Sequence, residues 1–204
     1  MKNKLLESIN SIRGNDIYPS DEIKNEIINS FFPNSTSELV QDLSGVTGAF
    51  YGILLKTVGE EFGNSKIDDI SKKVFYELGK LKAQQAKEIY PNMPFDTRAF
   101  AMVLISAIYN ASPEYSFNVI KYDAKHTIIE LNGVDRYLRI LNQLNISEYV
   151  TFPTLIPFFE GIKDSLNINC KFLYTMNIEN NLNKTNCIYE FINNVFFAES
   201  GLNI

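Results

Sequence analysis

The clearest signal along the chain is an apolar stripe over residues 65–90. Ile67, Ile70, Val74, Leu78, Leu81 and Ile89 recur there at helical spacing, with Lys72, Lys73, Glu77, Lys80 and Lys87 off the stripe. The pattern predicts an amphipathic helix. Gln85 falls in the middle of the stripe, where an apolar residue is expected. A buried amide needs partners in the protein or on a ligand, which makes Gln85 a candidate ligand-binding residue. Tyr90-Pro91-Asn92-Met93-Pro94 ends the helix, and Asp96 then caps an apolar helix reaching residue 111.

Upstream, Ser20-Asp21-Glu22 predicts a helix to about residue 32 with Ile23, Ile27 and Ile28 on one face. Residues 1–43 read as an N-terminal helical extension and residues 44–204 as the main domain. That domain opens with a helix over 44–62 whose side holds Gly45, Gly48, Gly52, Gly59 and Gly63, half of the chain's ten glycines. At about 100° per residue they span only about 60° of the circumference. Each helix-interior glycine costs about 1 kcal/mol against alanine, so the stripe implies close approach of a helix, a sheet or a ligand.

After Ser112-Pro113 the period becomes twofold. Tyr115, Phe117 and Val119 alternate with polar residues, as do Thr127, Ile129 and Leu131 beyond the turn at Asp123-Ala124-Lys125. Centring that turn on Ala124 pairs Val119 with Ile129 and Phe117 with Leu131. Two short helices follow, over 134–145 and from a cap near Thr154, the second with Leu155, Phe158, Phe159, Ile162 and Leu166 at helical spacing. A second hairpin then sets Cys170, Phe172, Tyr174 and Met176 on one face with Cys187, Tyr189 and Phe191 if its turn lies near Asn181-Leu182. Cys187 faces Met176 in that register, so the geometry argues against a bridge to Cys170. The order predicts an α+β fold, with an antiparallel sheet of about four strands in two hairpins and a layer of helices on one face.

Composition narrows the classes. The 204 residues are 45% hydrophobic and 13% aromatic, which is globular. A net charge of −5 with scattered lysines argues against a nucleic-acid partner. The longest apolar stretch, 99–109, is interrupted by Ser106 and is too short to span a bilayer, and the first fourteen residues lack a signal-peptide core, so a cytoplasmic location is expected. Two cysteines and one histidine leave no metal-ligand cluster.

Few residues suggest chemistry. His126 falls on the strand face opposite Ile129 and reads as a solvated strand residue, and Ser-His or Cys-His catalysis falls with it. Gly45-Val46-Thr47-Gly48 lacks the lysine and preceding strand of a nucleotide motif. Glu60-Glu61 and Asp68-Asp69 read as helix surface. Cys187, among Tyr189, Phe191 and Tyr174, reads as a small buried hydrophobe with no cation to lower its pKa. Arg98, in a helix's first turn, opposes the dipole there and either pairs with Asp96 or Glu114 or holds an anionic ligand.

Val74-Phe75-Tyr76-Glu77-Leu78-Gly79-Lys80-Leu81, after a glycine-bearing helix, resembles the paired helices of the L-2-amino-thiazoline-4-carboxylic acid hydrolase-like family. The run from Phe158-Phe159-Glu160-Gly161 through Asn186-Cys187-Ile188-Tyr189-Glu190-Phe191 is similar to that family's ending: helix, strand, polar turn and cysteine-bearing strand. Ile89-Tyr90-Pro91-Asn92-Met93-Pro94 resembles a "YP-x-x-P" feature of small bacterial proteins. Both belong with 4-vinyl-reductase-like and haem-nitric-oxide-binding-like domains, and the resemblance covers about residues 44–192. The family pattern places a cysteine, commonly followed by proline, after the second strand, where this chain has Asn132-Gly133. Another, before the last helix, is replaced by Val150-Thr151-Phe152-Pro153, so only Cys187 matches. The haem-binding relatives use a helix-borne histidine that this chain lacks.

The expectation is a non-catalytic small-molecule-binding or regulatory module, dimeric, with no cofactor, metal ligand or catalytic residue assigned. Its pocket is expected between the 65–90 helix, the glycine helix and the inner sheet face, with Phe117, Tyr174, Tyr189 and Phe191 as an aromatic lining. Gln85, Arg98, Tyr174, Cys187 and Tyr189 are the candidate ligand-binding residues, and an apolar or aromatic small molecule is the expected partner. The alternatives are a hydrolase of a small cyclic amide or thiazoline, and a dimeric assembly adaptor.

Overall fold

The computed structural model describes residues 2–10 and 16–194. In chain order the helices are α1 (Lys2–Asn10), α2 (Asp21–Phe31), α3 (Thr36–Phe62), α4 (Ser65–Ile89), α5 (Arg98–Ala111), α6 (Arg136–Gln143) and α7 (Leu155–Leu166). The strands are β1 (Tyr115–Tyr122), β2 (His126–Val134), β3 (Cys170–Glu179) and β4 (Lys184–Asn193). All pairings are antiparallel, in the spatial order β1-β2-β4-β3. The fold is α+β.

The registers follow the alternation of apolar residues. Val119 pairs with Ile129 and Phe117 with Leu131, and a bulge then shifts the ladder between Val119 and Lys121. In the second hairpin Met176 faces Cys187 and Tyr174 faces Tyr189. The turn is a short 3-10 segment, Asn180–Leu182, closed by Asn183 at φ 50°. Hairpins join where β2 meets β4, with Leu131 opposite Cys187. One face of this sheet is covered. Phe100 of α5 stacks on Phe191 at 4.6 Å, and Phe159 of α7 meets Tyr189 edge-on at 5.0 Å. The other face carries half-buried Ile128, Glu130, Ile188 and Glu190.

Four expectations about the helices are corrected. The glycine helix does not begin at residue 44. Ser35 caps it, accepting from the Glu38 amide at 3.2 Å, and α3 runs unbroken through position 43/44. The glycines do not form one contact either. Gly48 and Gly52 face Arg136, Ile140 and Leu144 of α6, Gly59 faces Ile67 of α4, and Gly45 faces open space. Thr154 stands at the N-terminus of α7, but its side chain makes no capping bond.

The buried face of α4 is the fourth. Ile67, Ser71, Phe75, Gly79 and Ala83 are buried, whereas Val74, Leu81 and Ile89 are exposed, Ile89 by 81%. α7 causes the difference. A Cβ on Gly79 would run into the carbonyl oxygen of Phe158, and one on Gly161 into that of Tyr76. Two glycines thus bring the backbones of α4 and α7 into contact, and Ser71, Gly79 and Ala83 turn inward beside Ile67 and Phe75, while Val74 and Leu81 turn out. Among the described residues no helix is long and apolar enough to cross a membrane.

Candidate functional site

A cavity of about 250 Å³ lies among the helices and the β1–β2 end of the sheet. The rest of the core explains its position. Over β3 and β4 the inner face is filled by Phe100, Phe159, Phe172, Tyr189 and Phe191 in mutual ring contact. Over β2 the residues are smaller: Leu131 from the sheet, Ala107 and Ala111 from α5. The walls are completed by Leu104, Phe75, Leu78 and Phe158. The space is therefore bounded mostly by carbon.

Its polar members sit at two ends. Arg136, only 4% exposed, opens α6 directly after its N-cap Asp135. Its guanidinium donates to Ser44 Oγ at 2.6 Å, Ser112 Oγ at 2.9 Å, Tyr137 Oη at 3.0 Å and the Ala111 carbonyl. Its Nε is buried without a partner. Ser44 in turn donates to Glu114 Oε1 at 2.5 Å, and Glu114 Oε2 is buried without a partner. Asp135 points elsewhere. It accepts the Tyr137 and Leu138 amides at 2.8 and 3.0 Å and a bond from the Tyr115 hydroxyl, and burial raises its pKa against those bonds. At the other end is half-buried Lys82, whose ammonium donates to Gln85 Oε1 at 3.1 Å.

The expected ligand residues are not brought together. Gln85 is exposed on α4 and touches the cavity only through Lys82, because the buried face of that helix is turned away from it. Arg98 grips Asp96 through two hydrogen bonds of 2.9 and 2.6 Å, which is the surface pair of the three options. Burial works to raise the Asp96 pKa, but those bonds outweigh it and the net shift is down. Tyr174 is 47% exposed and borders an open groove with Lys163 and Cys170. Tyr189 and Cys187 are buried in the filled half of the core. Of the expected aromatic lining, Phe117 packs edge-on against Tyr109 at 5.9 Å, and neither it nor Tyr174, Tyr189 or Phe191 borders the cavity. The ring that replaces them is Phe75, Tyr115, Tyr137 and Phe158.

Both cysteines are free and buried. Burial pushes the Cys170 thiol up to about 12 and the Cys187 thiol up to about 11, the reverse of what a thiolate nucleophile requires. His126 lies on the uncovered sheet face, its Nε2 3.1 Å from Glu190 and its Nδ1 3.1 Å from Lys121. Sequence reasoning missed Arg136 and Lys82. The signal available for Arg136 was its place in a first helical turn, where a cation opposes the dipole. No protein-family model matches the chain, and no curated protein matches it either.

Proposed function

We propose that this chain is a small-molecule-binding module, non-catalytic, whose ligand occupies the cavity under α5. The observation that carries the reading is a carbon-walled space of about 250 Å³ beside an otherwise filled core. Natural interiors leave few voids larger than a water molecule, and a space this size suits a small apolar or aromatic compound. The hydrolase alternative, which the resemblance implies, lacks support at this site: no cysteine lines the cavity and both thiols are held protonated at neutral pH.

The test fills the space. Ala107→Leu adds a branched side chain to the cavity wall without displacing backbone. The freshly purified protein should carry a copurified small molecule by native mass spectrometry, or show melting shifts with apolar compounds. In Ala107→Leu both signals should be lost while the unliganded melting temperature holds or rises. Binding that survives in a folded Ala107→Leu variant would place the ligand elsewhere.

A second reading, self-association, is favoured by a different observation. Leu43, Val46, Phe50 and Ile53 form an exposed stripe along α3, with Phe50 74% exposed. Asp42 and Lys56, the latter 3.8 Å from Glu60, each stand seven residues from Ala49 on one flank of the stripe. An antiparallel crossing of two copies centred at Ala49 sets each aspartate beside its partner copy's lysine.

A further inference from the structure

Resting on the cavity reading above, we infer that the ligand is an apolar monocarboxylic acid, its carboxylate held by Lys82 and its apolar body directed toward Leu104 and Leu131. The charges of the cavity wall carry this. Among the described residues its charged lining is Lys82 and Arg136, both cations, with no aspartate or glutamate. In a low-dielectric, carbon-lined space, a cation in the wall favours an anion over a neutral molecule of the same shape.

The nearby acids act at the Arg136 end. Glu114, its Oε2 buried without a partner, stands one hydroxyl from Arg136, and Asp135, bonded to the α6 amides and Tyr115, adjoins it, so these carboxylates offset the Arg136 charge and Lys82 carries the preference for an anion. Arg136 is the poorer of the two contacts, since four of its donor bonds already go to protein acceptors. Lys82 is the better. Its ammonium has three donors, and its recorded partner is a neutral, exposed amide that water can replace. It also stands at the half-buried end, so a carboxylate there keeps part of its hydration while the tail is desolvated.

The test compares octanoate with 1-octanol, which share a tail and differ in charge, by calorimetric titration at low salt on the wild type and on Lys82→Gln. Lys82 is half-buried on the outside of α4, so the substitution leaves the core intact. Octanoate should bind the wild type about tenfold more tightly than octanol. In Lys82→Gln the two should become equal, through weaker octanoate and unchanged octanol. Equal binding by the wild type, or an octanoate preference that persists in Lys82→Gln, overturns the inference while leaving the cavity reading in place. Failure of both probes to bind the wild type overturns both.

Discussion

Asp135 and Arg136 are neighbours of opposite charge, both buried, yet each is hydrogen-bonded to different partners. The carboxylate caps α6 and the guanidinium reaches back to α3 and α5. This makes Asp135 a titration site with a defined sign. Its folded pKa is raised, so the stability it contributes is fully present below the unfolded value, about 3.9, and is lost as pH rises through the folded value. Asp135→Asn keeps an acceptor for the two amides and removes the titration. Melting curves should find the wild type gaining on this variant as pH falls from about 7 towards 4. Asp68 and Asp96, whose pKa values are lowered, act in the opposite direction but do so in both proteins and cancel. A difference that stays constant with pH would show that Asp135 titrates normally. Single residues were the least legible scale. Arg98 reads in sequence much as Arg136 does, and only the fold separates them: Asp96, two positions away, takes the first, and no direct carboxylate takes the second.

Between elements, the tightest approach is that of α4 to α7, and it separates two kinds of glycine. A methyl at Gly52 would meet Ile140 Cγ1 at 2.6 Å and Leu144 Cδ1 at 3.0 Å, both side-chain atoms. A methyl at Gly79 or Gly161 would meet backbone, which moves only if the helices part. Gly79→Ala should therefore cost about 3 kcal/mol or more, and Gly52→Ala less, since its gain in helix propensity offsets the displacement of two side chains. Urea denaturation of the two variants measures this; a Gly79→Ala variant as stable as the wild type would contradict the backbone contact. The hairpins were legible because their period of two and their turns leave a single register with both apolar sets on one face. The inward face of α4 was not, because an apolar stripe marks what prefers burial, and here close approach selected Ser71, Gly79 and Ala83 instead. The same reversal exposed Gln85.

At the scale of the whole molecule, the layers leave the α3 stripe outside the core. If two copies meet there, Phe50→Glu should convert a concentration-dependent dimer into a monomer by light scattering while the melting temperature, extrapolated to low concentration, is unchanged. A wild type that is monomeric at all concentrations would discard the self-association reading. The cavity touches α3, α4 and the sheet through Thr47, Phe75, Leu78, Lys82 and Leu131, but α5, α6 and α7 supply the rest of its wall, and nothing in a strand's alternation reveals which half of a face will be filled by rings. The strand order has one more consequence, during synthesis. β2 and β4 are partners at the middle of the sheet, yet α6, α7 and β3 are all made between them. Until β4 leaves the ribosome, β2 presents a full-length row of unpaired amides and carbonyls to whatever nascent chain is nearby. Yield in the cell thus depends on how fast the last hairpin arrives and docks, and a substitution that slows it can deplete the protein without altering the stability of the finished fold.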